Sequence, residues 1–154
     1  MPICDLTEMS GLLAPGARLM GLDLGAKTIG IAISDATRTI ATARTTLRRT
    51  RLSRDIETLR ALIAEEGIGG IVVGLPVNMD GSEGPRAQSA RDVAGRLADA
   101  LAPPVALWDE RWSTVAAERS LLAADLSRRK RARVVDQVAA AYILQGALDR
   151  LRAG

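Results

Sequence analysis

An acid stands inside an apolar strand in GLDLGAKTIGIAISD, residues 21–35, and few folds accommodate one there. Two alternating runs flank a short glycine-containing turn, so the stretch reads as two consecutive strands. Alternation puts Leu19, Gly21, Asp23 and Gly25 on one face of the first strand and Met20, Leu22 and Leu24 on the other. In the second strand the face with Gly30, Ala32 and Ser34 is equally small, which lets another backbone approach closely. An isolated ionised carboxylate in a central strand is costly to desolvate unless a cation or hydrogen-bond donors compensate it.

The remaining elements build a sheet around that pair. A third strand is expected over 39–47, then a helix opened by Ser53 and closed by Gly67. GGIVVGLP (69–76) is continuously apolar, as in a strand covered on both faces. A helix follows from Pro85, a fifth strand over 104–110, a short helix capped by Ser113 and ending near Ala124, and a final helix from roughly 134 to 151. The order βββαβαβαα predicts an α/β fold: a three-strand antiparallel meander plus two parallel strands in one mixed five-stranded sheet, with helices on both faces. The 154 residues fit one domain, 18–154, after a loose N-terminal extension, 1–17.

Composition removes several chemistries. The chain has no histidine, which excludes Ser-His and Cys-His nucleophile systems and the usual catalytic zinc sites. Cys4 is its only cysteine, so neither an internal disulfide nor a cysteine metal cluster is available. No apolar run approaches the roughly 20 residues of a membrane span, and residues 1–17 carry Asp5 and Glu8 rather than a basic leader. A cytoplasmic protein with no membrane contact is expected. Residues 38–54 contain six Arg and no acid, and SRRKRAR (127–133) contains four Arg and one Lys. These stretches hold 11 of the 21 basic residues, so the net charge of +3 hides a local excess suited to a polyanion's phosphates. The bland reading is a pair of solvated loops. With only Trp108, Trp112 and Tyr142 as aromatics, a base-stacking platform is not expected.

Two further acidic positions could join Asp23. WDER (108–111) ends the fifth strand with Asp109 and Glu110, whose side chains point to opposite faces, so at most one of them joins readily. Asp136 lies in the first turn of the expected last helix, RVVDQVAAAYIL, where the helix dipole alone would also favour it. Carboxylates without histidine suit one or two Mg²⁺ or Mn²⁺ ions and phosphodiester hydrolysis. GLPVNMDGSEGP (74–85), with Asn78 and Asp80, leaves a buried strand and enters a helix, so its amides could receive a phosphate; an ordinary loop explains it equally well.

GLDLGAKTIGIAISD, GLPVNMDGSEGP, DERWSTVAAE and VVDQVAAAYIL together resemble the YqgF family, the pre-16S rRNA nucleases also described as Holliday-junction-resolvase-like. The resemblance runs in order from about Leu19 to Leu151. It implies a ribonuclease-H-like fold and maturation of the 5′ end of small-subunit ribosomal RNA. By motif position it makes Asp23, Glu110 and Asp136 the metal-binding carboxylates, preferring Glu110 to Asp109. Lys27, Asn78, Arg111, Ser113, Arg128, Arg129, Lys130 and Arg131 are then expected to hold substrate, either structured precursor rRNA or branched DNA, in a monomer or homodimer. Leu24 stands where an aromatic is common, and Trp112 replaces a frequent Leu. Two readings of other classes are a nucleotide-dependent phosphotransferase, which would need a second lobe, and a non-catalytic RNA-binding assembly factor.

Overall fold

The computed structural model describes residues 3–112 and 128–153, with Trp112 and 128–136 by backbone alone. In chain order the elements are α1 (Leu6–Leu12), β1 (Arg18–Leu24), β2 (Thr28–Ser34), β3 (Ala41–Arg48), α2 (Leu52–Glu66), β4 (Ile68–Leu75), α3 (Pro85–Ala100), β5 (Val105–Asp109), a 3-10 turn (Glu110–Trp112) and α4 (Arg128–Ala153). The sheet order is β3-β2-β1-β4-β5. β1–β2 and β2–β3 are antiparallel, and β1–β4 and β4–β5 are parallel. This is the expected mixed sheet.

Its two faces differ in side-chain size, and the difference decides which helix lies where. Met20, Leu22, Ile29, Ile31, Ile33, Ile71 and Val73 turn large side chains toward α2 and α3. The opposite face is small at Gly21, Ala32 and Gly74, and there α4 approaches closely through Ala140, Ile143 and Leu144. A Cβ added to Gly21 would lie 2.7 Å from Leu144 Cβ and 3.0 Å from the Ala140 carbonyl oxygen, so only glycine admits the helix at that separation. Further along, Gln145 ties α4 to β3 by accepting from the Ala41 amide and donating to the Thr39 carbonyl.

Several local expectations change. The N-terminal segment is not loose. Cys4 forms a parallel bridge to Ala106 on the edge strand, and α1 buries Met9 completely between the sheet and α4. Burying such a side chain contributes about 1.5–3 kcal/mol, enough to hold a seven-residue helix too short to persist alone. Ser53 does not cap α2: Arg51 is the N-cap, without a side-chain cap bond. The buried Asp55 instead accepts from the Thr50 amide and hydroxyl and fixes the entry to the helix. Gly67 closes α2 in the left-handed conformation, as expected. The last helix begins at Arg128, not near 134, so the basic run 128–133 is helical rather than a loop. Ser113 and the short helix expected after it lie outside the described residues.

Candidate active site

Parallel strands β1, β4 and β5 end on the same edge of the sheet, the place where open α/β sheets gather ligand-binding groups. Asp23, the penultimate residue of β1, is 5% exposed and pairs in register with Gly30 of β2. The β1–β4 ladder runs to the Leu22–Val73 rung, and Asp23 and Gly74 are the next residues on the two strands. Gly74 in turn pairs with Trp108 of β5, and Glu110 follows Trp108 by two residues, returning to the same face. A Cβ added to Gly74 would sit 3.3 Å from Glu110 Oε1, and that oxygen is buried. Asp23 and Glu110 therefore flank one glycine on the α4 side of the sheet. Their backbones stand two ladder spacings apart, roughly 10 Å. Only an intervening residue without a side chain lets the longer glutamate arm lean inward.

Asp109 and Glu110 differ in their partners, and Arg111 holds Asp109. Its backbone N–H donates to Asp109 Oδ1 at 2.9 Å, its Nε reaches Oδ1 and Oδ2 at 3.1 Å, and its Nη2 reaches Oδ2 at 2.7 Å. Asp109, at 9% exposure, is thus committed to the guanidinium on the other side of the strand end. The hydrogen bonds from Arg111 outweigh desolvation and hold its carboxyl below the ordinary aspartate range. The same contacts close the tight turn that carries Glu110 toward Gly74.

Asp136 enters through its helix. Because α4 starts at Arg128, Asp136 is its ninth residue rather than a first-turn residue, and the helix dipole, which fades within the first turn, does not account for it. It lies one turn before Ala140, whose carbonyl meets Gly21, and beside Gln137, whose Oε1 accepts from Thr46 Oγ1 at 3.3 Å. Thr46 pairs with Gly30, the partner of Asp23, so α4 is pinned across the row that contains Asp23. The side chains of Asp136, Arg128, Arg129, Lys130 and Arg131 lie outside what is described. Among the described residues no three acids gather to hold an ion.

The basic residues divide. Arg38 donates to the Ala17 carbonyl, Arg44 pairs with Glu66, and Arg49 donates to the Gly25 carbonyl, so half of the 38–54 run braces the fold. Lys27 is exposed in the β1–β2 turn, with its carbonyl bonded to the Arg49 amide and Arg48 opposite Thr28. Arg48 and Arg51 thereby stand at the Asp23 end of the sheet, a placement that spacing alone did not single out. Asn78 is engaged within its own loop, donating to Ser82 Oγ. Arg111 adjoins that loop: a Cβ on Gly81 would be 3.6 Å from its Nη1. Behind the Asp109–Arg111 pair, a cavity of about 520 Å³ lies between the N-terminal segment, β5 and the 76–84 loop, with the Arg91–Glu83 ion pair on its wall.

Residues 17–150 match the family model described as "RuvX: Holliday junction resolvase". The chain belongs to the RuvX family. Relatives named "Putative pre-16S rRNA nuclease" include one from Rhodobacter capsulatus, 61% identical over 97% of this chain and 94% of its own, and one from Paramagnetospirillum magneticum, 56% identical over 97% and 96%. Among solved structures, RuvC of Thermus thermophilus in complex with a Holliday junction superposes with a TM-score of 0.55 at 13% identity, covering 90% of this chain and 96% of that one. The yeast mitochondrial Holliday junction resolvase gives 0.53 at 12% identity, covering 96% and 86%. Those likenesses establish that this RuvX chain has the ribonuclease-H-like fold of the resolvases.

The carboxylates of this candidate site offer oxygen donors only, and one glutamate oxygen is already withdrawn from solvent. Those properties fit a hard divalent cation. Sequence reasoning did not single out Gly74 as the position beside Glu110. Its signal is a missing side chain in an otherwise apolar strand.

Proposed function

We propose that the chain is a divalent-metal-dependent nuclease that hydrolyses phosphodiester bonds at the 5′ end of precursor 16S rRNA in the cytoplasm, as a monomer or homodimer. The observation that carries this reading is the placement of Asp23 and Glu110 on either side of Gly74, in a chain of the RuvX family. Its relatives' names supply the substrate class.

In this reading Asp23, Glu110 and Asp136 hold one or two Mg²⁺ or Mn²⁺ ions. Bound there, the metal would supply Lewis-acid polarisation of the phosphate and a more acidic water. Gly74 leaves room for the Ile143 terminus and the Glu110 arm, and Ile143 and Leu144 back the site with apolar surface. Asp109 and Arg111 hold the turn that aims Glu110. Lys27, Arg48 and Arg51 draw in the RNA backbone, joined by Asn78, Arg111, Ser113 and the Arg128, Arg129, Lys130 and Arg131 turn of α4.

A second reading keeps the chemistry and changes the substrate to branched DNA, because the family model is described as a Holliday junction resolvase. The test is cleavage of a precursor 16S 5′-end transcript and of a four-way DNA junction, side by side, in Mg²⁺ and in EDTA. Metal-dependent cutting confined to the transcript is expected. Cutting confined to the junction would transfer the assignment to DNA, and binding of either without turnover in any divalent metal would leave an assembly factor.

A further inference from the structure

Met79 is 88% exposed, against 57% for Leu12 and 61% for Ile40, the other large apolar side chains left in solvent among the described residues. A scattered surface hydrophobe needs no explanation by itself. The setting of Met79 is what distinguishes it. It occupies the apex of a turn that is bonded to itself: the Asn78 amide donates to the Ser82 carbonyl, the Gly81 amide to the Asn78 carbonyl, and Asp80 Oδ1 accepts from the Ser82 amide and hydroxyl. Gly81, at φ +90°, supplies the left-handed step that lets the turn close. The thioether is therefore displayed on a braced support.

That support stands at the functional edge of the sheet. The turn leaves β4 after Gly74 and Leu75, and Gly81 lies against the Arg111 guanidinium, in the turn that carries Glu110. The chain has no phenylalanine, and Trp108, near this edge, is buried and offers no face to stack on a base. An unbranched, polarizable apolar side chain on a turn that adjoins an arginine has the chemistry of a wedge: the cation holds a phosphate while the apolar group enters between adjacent bases.

We propose that Met79 is such a wedge, inserting into a base-paired stretch of the nucleic acid beside the Asp23–Glu110 site and unstacking the step there. The proposal deepens the nuclease reading and rests on it for the identity of the ligand. It makes Met79 a residue that selects paired substrates able to open, rather than one that takes part in hydrolysis.

The test uses hairpin RNA from the precursor 16S 5′ end with 2-aminopurine placed at successive paired positions, bound by the full chain in EDTA so that no cutting occurs. With the wild type, fluorescence at one position is expected to rise several-fold on binding, reporting an unstacked base. Met79→Ala should lose that rise while binding RNA within a factor of a few, and Met79→Phe should restore it. In Mg²⁺, Met79→Ala should cut paired RNA several-fold more slowly and regain the rate on RNA with a mismatch at the responding position. No rise at any position with the wild type, or an equal rise with Met79→Ala, would overturn the wedge. Failure of the nuclease reading looks different: fluorescence would still depend on Met79 while no divalent metal supported cleavage.

Discussion

Gly74 and Glu110 meet across neighbouring strands, with Oε1 of the glutamate 3.3 Å from where a Gly74 Cβ would stand and Ile143 Cδ1 2.4 Å from the same point. Gly74→Ala therefore faces two neighbours of different kinds. The isoleucine terminus can rotate aside, so overpacking should lower stability by about 1–3 kcal/mol. The glutamate has to move, so cleavage should fall further than stability explains. Adding Ile143→Val removes the colliding methyl and should restore stability in denaturant unfolding without restoring the cleavage rate. Recovery of both would mean that the glycine serves packing alone.

Asp109 should act on activity through Arg111. Asp109→Asn removes charge-assisted hydrogen bonds worth about 1.5–3 kcal/mol and loosens the turn that carries Glu110. The pH dependence has a defined sign. Hydrogen bonds from Arg111 depress the folded carboxyl below the unfolded value of about 3.9, so its stabilisation is complete above that pH and disappears as pH falls through the folded value. Unfolding free energies measured from neutral pH down into acid should converge for wild type and Asp109→Asn below that range. A constant gap across the titration would mean that the pair contributes nothing through its charge.

How much of this was legible depends on the kind of signal. The small face of β1 and β2 showed in Gly21, Gly30 and Ala32, and α4 does lie against it at Gly21. Gly67 and Pro85 marked helix ends because each carries a backbone preference no neighbour overrides. The start of α4 was hidden, since a run of Arg and Lys reads as a solvated loop although both are good helix formers. Alternation leaves Asp109 and Glu110 open, and their difference in environment lies in a hydrogen-bonding partner of Asp109 two residues away, beyond what alternation reports. Ser53 was a plausible cap, but the Thr50–Asp55 contact had already fixed the chain's entry to α2.

The N-terminal segment offers a stability test. Met9 is fully buried against α4, so Met9→Ala should lower unfolding free energy by about 2–5 kcal/mol. Thermal or denaturant melts measure it directly. A loose tail would leave the melting curve unchanged.

Arg48 and Arg51 at the β1–β2 end should contribute to RNA affinity by counterion release. Replacing either by Gln is expected to weaken binding similarly for different sequences and to reduce the slope of log affinity against log salt by roughly 0.7–1. Binding titrations at several salt concentrations measure the slope. If it is unchanged while affinity drops, these arginines act on the fold rather than on phosphates.

Asp23 is the proposed holder of the catalytic metal, and one variant tests that role most directly. Cleavage of precursor 16S transcript by Asp23→Asn in saturating Mg²⁺ or Mn²⁺ should fall to background, while its unfolding transition and its RNA binding in EDTA stay close to the wild type. Cleavage at the wild-type rate by a folded Asp23→Asn protein would contradict the account.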